Sequence, residues 1–98
     1  METLRIALLQ PDIHWKNPEK NRAMFDELLA AHAGKADVFM LPEMFNTGFV
    51  PDPASVAEEL HGPTFEWMKN AASRYECAIS GSIVIAENEK YYNRFFWV

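Results

Sequence analysis

Cysteine is almost absent from this 98-residue chain, which contains only Cys77. One thiol cannot form an internal disulfide, and the cysteine and histidine residues do not have the spacing of a metal site. No apolar run approaches the roughly 18 residues that a membrane-spanning helix needs. The N-terminus also lacks the basic segment and apolar run of a secretory signal. We therefore expect a cytoplasmic protein with no metal, no cofactor and no membrane association.

Basic residues are also scarce. Nine Lys and Arg stand against 14 Asp and Glu, which gives a formal net charge of −5. The basic residues are scattered, whereas nucleic-acid-binding proteins typically carry a basic stripe or patch. The composition therefore predicts that nucleic acid is not a partner.

Apolar residues, by contrast, are abundant. They make up 49% of the chain, and 13% of the residues are aromatic. A compact chain of this length buries only roughly two-thirds of its unfolded surface. The excess of apolar residues, together with the aromatic segment Phe95–Val98 at the end, predicts that part of the apolar surface packs against further sequence. We interpret residues 1–98 as a single partial domain, the N-terminal part of a longer one.

The first half of the chain has the pattern of a strand–helix–strand unit. Residues 4–10 and 37–41 are short apolar runs of the kind found in strands buried on both faces of a parallel sheet. Between them, Asn17 followed by Pro18 is a helix start, and helical spacing of apolar residues indicates a helix over 18–33. Such a unit predicts two parallel strands joined by a right-handed connection.

The second half predicts another helix and a β-hairpin, which makes the fold class α/β. The helix is expected over 63–76, with the following residues on its buried side: Phe65, Met68, Ala72 and Tyr75. A third strand is expected over 78–86. A polar turn then leads into a fourth strand over 91–98, antiparallel to the third.

Glu43 is the candidate catalytic residue. It directly follows the second predicted strand, and ligands of open α/β sheets bind beyond the carboxyl ends of the strands. An aromatic loop over 44–49 follows it. A carboxylate packed against aromatic rings is partly desolvated, which makes it a better general base. From position alone, however, a solvated loop glutamate is the more common case.

A resemblance favours the catalytic interpretation. Residues 41–45, Leu-Pro-Glu-Met-Phe, resemble the glutamate motif of the nitrilase superfamily, the carbon–nitrogen hydrolases. Residues 41–49 are especially similar to its omega-amidase branch. Less specific matches lie elsewhere in the chain, in the same order as in the family: the first strand ending in Leu9-Gln10, residues 78–82, and residues 92–94.

The resemblance implies a four-layer α-β-β-α sandwich, of which this chain is the N-terminal part. It also implies a Cys-Glu-Lys mechanism in which Glu43 is the general base. The substrate class would be the omega-amide of a short dicarboxylic acid monoamide, and the protein would be a homo-oligomer. Neither the lysine motif nor the cysteine motif of the family occurs in these residues. We therefore expect the 98-residue chain alone to be inactive.

Four other residues near these motifs have open roles. Phe45 and Asn46 lie next to Glu43, and either a substrate-binding or a structural role fits them. Cys77 precedes the third strand without a matching motif, and a free cysteine usually behaves as a small buried hydrophobe. Asn93 lies within a predicted strand, where it could hydrogen-bond within the sheet near the site, although a strand asparagine is more often structural.

Two other functions are compatible with the same sequence. A relative with this fold and glutamate could transfer the acyl group to an amine instead of water. A non-catalytic α/β module could bind a partner through the Phe95–Val98 strand. The lysine and cysteine motifs in the sequence that follows would favour an enzyme.

Overall fold

One four-stranded sheet runs through the computed structural model of the protein, which describes residues 2–98. The strands are β1 (Ile6–Leu8), β2 (Val38–Met40), β3 (Ala78–Glu87) and β4 (Lys90–Trp97). They lie in the order β1-β2-β3-β4; β1, β2 and β3 are parallel, and β4 is antiparallel to β3. The helices are α1 (Pro18–His32) and α2 (Pro63–Arg74), with a 3-10 turn at Pro53–Ser55.

This architecture confirms the predicted α/β fold class and element order. The strand–helix–strand unit is present, with β1 and β2 as parallel neighbours, and β3 and β4 form the predicted hairpin. The first two strands are shorter than predicted, at three residues each. None of the described helices is long and apolar enough to cross a bilayer.

Helix α1 begins as its sequence predicts. The Asn17 side chain accepts a hydrogen bond from the backbone N–H of Lys20, and Pro18 occupies the first helical position. Phe25 and Leu29 on the predicted face are fully buried against the sheet.

Helix α2 packs through a slightly different face from the one predicted. Met68 is fully buried as expected, but its buried neighbours are Thr64 and Ala71. Spacings of four and three residues place these side chains on one helical face. The other predicted residues, Phe65, Ala72 and Tyr75, are only partly buried at its margin.

The hairpin register is determined by its turn. Asn88 and Glu89 both have positive φ, 53° and 63°, and Glu87 pairs with Lys90 across them. Positive φ at both central residues is typical of a type I′ turn, whose twist matches that of the flanking strands. An ion pair between Arg94 and Glu87, at 2.8 Å, links the two strands further.

The helices cover only one face of the sheet, and the core lies there. The buried sheet residues on this side are Phe39, Ile79, Ile83 and Ile85. They pack with the buried residues of both helices in one continuous cluster.

The opposite face of the sheet is apolar and uncovered. Four of its residues define what we call the open face: Ile6 (54% exposed), Leu8 (62%), Phe95 (61%) and Trp97 (59%). The expectation that the first strand is buried on both faces is therefore wrong for this chain. Both helices pack on the other side of the sheet, and the excess of apolar residues is concentrated on the face they leave uncovered.

Arg5 and Asp37 join the segments that lead into β1 and β2. The Asp37 carboxylate accepts hydrogen bonds from the Arg5 backbone N–H, at 2.9 Å, and from its guanidinium, at 3.2 Å. These bonds, the backbone one first, hold the pKa of Asp37 below its ordinary value. Because the folded pKa is lowered, the stabilisation is complete above the unfolded pKa of about 3.9. It is lost as the pH falls through the folded pKa.

We predict that Asp37→Asn lowers stability at neutral pH and flattens the acid dependence of unfolding. The Asp37 carboxylate loses its stabilising contribution when it is protonated, whereas the neutral Asn amide has no such contribution to lose. The gap in unfolding midpoint between variant and parent should therefore narrow below about pH 4. Urea unfolding midpoints between pH 3 and pH 7 measure this, with exposed Asp12→Asn as the control. A gap that stays constant across this range would contradict the assignment.

Candidate active site

Glu43 lies three residues beyond the end of β2, at the carboxyl end of the parallel strands, as predicted. Its side chain is exposed, and it begins a tight turn over residues 43–47. Met44 has a positive φ of 51°, and its carbonyl accepts the backbone N–H groups of Thr47 and Gly48, at 3.2 and 2.7 Å. Hydrogen bonds within the turn thus fix the backbone that carries Glu43.

The same segment is also bonded to β3. The backbone N–H of Leu41 donates to the Ser80 carbonyl, at 2.8 Å. Beyond it, the N–H of Met44 donates to the Ser82 hydroxyl at 3.1 Å, and that of Phe45 to the Ser82 carbonyl at 3.3 Å. These bonds extend the contact with β3 past the end of β2, so the backbone next to Glu43 has a defined position.

Phe45 belongs to the core on the helix side of the sheet. Its ring is fully buried, edge-to-face with Phe25 at 5.6 Å between centroids and tilted against Trp67 at 6.0 Å. Gly81 of β3 makes room for it, because a Cβ on Gly81 would lie 2.8 Å from Cδ1 of Phe45. The structure gives Phe45 a packing role, and its ring has no exposed surface with which to bind a substrate.

Asn46 is buried within a polar network that links the turn to both helices. Its Nδ2 donates to Glu58 Oε2 at 3.0 Å, and its backbone carbonyl accepts a hydrogen bond from Asn21 Nδ2 at 2.8 Å. Glu58 also accepts the backbone N–H and the hydroxyl of Thr64, and Arg22 donates to that hydroxyl at 2.9 Å. Asn46 therefore holds the turn in place, and its role as a substrate contact stays a prediction that this burial does not support.

Sequence reasoning missed this network. Glu58 lies in a loop without a recognisable motif. Its partner Thr64 is 6 residues away in sequence, Asn46 is 12 residues away, and Arg22 is more distant still. The available signal was Thr64 directly after Pro63 at a helix start, where a hydroxyl commonly takes part in capping.

Asn93 is the residue that the fold brings to Glu43. Its Nδ2 donates to Glu43 Oε2, at 3.1 Å. Asn93 pairs with Val84 in the hairpin, on the same side of the sheet as the open face. Because β3 separates β2 from β4, this bond places the Glu43 carboxylate across β3, away from the helices. The carboxylate therefore does not pack against the ring of Phe45, since the two side chains lie on opposite sides of the sheet.

Cys77 has the features of a structural residue. It precedes β3 at the amino end, where Ala78 pairs with Val38, whereas Glu43 lies beyond the carboxyl end of β2. A strand rises about 3.3 Å per residue, so β2 alone puts about 7 Å between the two levels. Burial raises the pKa of the Cys77 thiol, which disfavours the reactive thiolate.

A family profile and two known proteins match the sequence of this chain. The sequence profile described as carbon-nitrogen hydrolase matches residues 5–98. The omega-amidase YafV of Yersinia enterocolitica is 34% identical over 98 residues, covering all of this chain and 38% of that protein. The 2-oxoglutaramate amidase of Bacillus subtilis (strain 168) is 28% identical, covering 93% of this chain and 36% of that protein.

A solved structure shares the fold closely. XC1258 from Xanthomonas campestris, described as a CN-hydrolase superfamily protein with an arsenic adduct in the active site, superposes with a TM-score of 0.93. It is 37% identical, and the match covers all of this chain and 37% of that one.

The sheet order, the position of Glu43 and the extent of these matches define an α/β protein of the nitrilase type. The chain belongs to the carbon-nitrogen hydrolase family. It spans 38% of the length of the omega-amidase relative and similar shares of the other two proteins. The resemblance seen in the sequence is thus confirmed at the level of the family.

We predict that Gly81→Ala destabilises the protein by about 1–3 kcal/mol, the usual cost of overpacking a core. The added methyl would overlap the Phe45 ring, which must shift together with the turn that carries Glu43. Urea unfolding of Gly81→Ala, Phe45→Leu and the double variant measures the coupling, because a smaller side chain at position 45 should relieve the overlap. Additive losses in the double variant would show that the two sites do not compete for space.

Proposed function

We propose that the protein containing this chain is an omega-amidase, which hydrolyses the side-chain amide of a short dicarboxylic acid monoamide to acid and ammonia. The observation that carries the proposal is an exposed carboxylate, Glu43, at the carboxyl end of β2 in a member of the carbon-nitrogen hydrolase family. The names of two relatives, omega-amidase and 2-oxoglutaramate amidase, support the reaction class.

In this proposal Glu43 acts as the general base and acid. It takes the proton of a cysteine thiol as the sulfur attacks the amide carbon, and it returns that proton to the nitrogen as the C–N bond breaks and ammonia leaves. It then takes a proton from water as the water oxygen attacks the thioester, and it returns this proton to the sulfur as the C–S bond breaks and the acid is released. Two acyl-transfer steps replace one direct hydrolysis, as in other forms of covalent catalysis.

The nucleophile and the lysine are proposed to come from sequence outside these 98 residues. Cys77 lies at the wrong end of the sheet for Glu43 to deprotonate it, and its thiol pKa is raised. The lysine would stabilise the negative charge on the oxygen of the tetrahedral intermediates. Glu43 is then the contribution of this chain to the catalytic set.

We also propose that the open face packs against a second sheet formed by the rest of the protein, completing an α-β-β-α sandwich. The helices already cover one face of the sheet, and the exposed apolar side chains of β1 and β4 form the other. Ser80 on that face has a buried hydroxyl without a hydrogen-bond partner among the described residues. A covering sheet would bury the apolar side chains and could supply a partner for this hydroxyl.

We predict that Glu43→Gln in the full-length protein slows ammonia release toward the upper end of about 10²–10⁴-fold. The amide keeps the size of the side chain but cannot accept a proton, and the carboxylate is asked to serve both half-reactions. Assays with a short omega-amide measure the rate, and unfolding midpoints should change little because the side chain is exposed. Cys77→Ser is the matched control and should keep nearly full turnover in the folded fraction. A folded Glu43→Gln protein within about tenfold of the parent would contradict the proposal.

We predict that the chain of residues 1–98 alone releases no ammonia and self-associates through the open face. An uncovered apolar sheet invites pairing with other chains. Light scattering and hydrophobic-dye binding should exceed those of the full-length protein, and Leu8→Lys with Trp97→Lys should reduce both. Phe49→Lys is the control, because Phe49 is as exposed but lies in a loop outside the open face. A monodisperse, dye-free chain would contradict the packing proposal, and turnover abolished by a thiol-alkylating agent would point to Cys77 as a nucleophile.

A further inference from the structure

The hydrogen bond between Asn93 and Glu43 joins two segments that are 50 residues apart in sequence. Glu43 follows β2, Asn93 lies within β4, and β3 runs between them. A carboxylate accepts hydrogen bonds and does not donate them, so the Asn93 amide must present its NH₂ group to Oε2. The contact is therefore a defined donor–acceptor pair.

The position of Asn93 depends on the hairpin register. The turn at Asn88 and Glu89 sets Val84 opposite Asn93, and the Arg94–Glu87 ion pair links the same strands. A slip of one residue would turn every side chain of β4 to the other face of the sheet. Asn93 would then face the helices, and Glu43 would lose its partner.

The backbone on the other side of the contact is equally constrained. Met44 and Phe45 are both bonded to Ser82 of β3. The Glu43 side chain is thus held at its base by β3 and at its carboxylate by β4. An exposed glutamate otherwise samples several rotamers, so a hydrogen bond to its carboxylate restricts the positions that the side chain takes.

The two carboxylate oxygens of Glu43 are not equivalent. Oε2 accepts the Asn93 amide, whereas no residue among 2–98 donates to Oε1. Oε1 is therefore the oxygen with free lone pairs.

We propose that Asn93 is a positioning residue of this site. Its amide holds the Glu43 carboxylate over β3 with Oε1 free to take the proton from the thiol or water and to return it to the leaving nitrogen. Asn93 itself neither gains nor loses a proton in any step. The proposal rests on the proposed amidase function, because it assigns a role within that reaction.

Substitutions of similar size test this in the full-length protein. Asn93→Leu removes the donor, and Asn93→Asp replaces it with a second carboxylate facing Glu43. Losing the donor should lower kcat by about 10–100-fold, the range expected for a misplaced catalytic group. The acid limb of the kcat/KM profile should move to higher pH for Asn93→Asp, because a second carboxylate at this position disfavours ionisation of its neighbour.

Asn70→Asp is the matched control, since it adds the same charge at an exposed position of α2, outside the hairpin that positions Asn93. It should leave kcat and the pH profile unchanged. A second readout is Asn93→Leu combined with Glu43→Gln. If Asn93 acts through Glu43, the double variant should be no slower than Glu43→Gln alone.

The outcomes separate this proposal from the function on which it rests. Should Glu43→Gln be as active as the parent, the amidase proposal itself fails. If Glu43→Gln is inactive while both Asn93 variants keep the parental kcat and acid limb, only the role of Asn93 is overturned. Activity that falls in proportion to the folded fraction, with an unchanged pH profile, also overturns it, because a purely structural residue would behave in this way.

Discussion

Phe45 packs where Gly81 has no side chain, and the position of the turn after β2 depends on this contact. The ring fills the space between β3 and the two helices, with Phe25 and Trp67 against it. Burial of an aromatic side chain is among the largest single contributions to a small core. Because the ring is held on the helix side, the residues just before it are left at the other side of the sheet.

The two ends of the turn therefore lie in different surroundings and have different roles. Asn46, its buried partner Thr64 and the partly buried Glu58 tie the turn to the helices, in surroundings where an unpaired polar group is costly. Glu43 remains exposed on the opposite side, with a single hydrogen bond from Asn93. A rigid, buried half thus supports an accessible carboxylate, which is the arrangement that a general base requires.

The open face of the sheet is the surface that we propose the rest of the protein covers. Its apolar side chains belong to strands whose other faces are packed against helices, so the sheet is finished on one side only. The site residues Glu43 and Asn93 share the uncovered side. In the proposed sandwich, further sequence would therefore approach the carboxylate from the same direction as the second sheet.

Local patterns determined the order and approximate ends of the elements. Apolar runs, the Asn17-Pro18 helix start and the polar turn at Asn88-Glu89 act through neighbouring residues, so the sequence was sufficient to predict them. The glutamate motif likewise lies in five consecutive residues, and its place after β2 follows from the strand before it. Periodicity was less reliable for α2, where the buried face was displaced by one residue at Ala71.

Only the tertiary structure decided which side chains meet. Phe45 is next to Glu43 in sequence, and from the sequence a substrate-binding role and a structural role fitted it equally. The two side chains lie on opposite sides of the sheet because the space above Gly81 accepts the ring. For Asn93 the sequence allowed a hydrogen bond near the site but did not identify its partner. Glu43 is 50 residues away and is brought to Asn93 by the pairing of β3 with both β2 and β4. Contacts of this kind depend on strand order and register together, and neither is encoded in any single stretch of the chain.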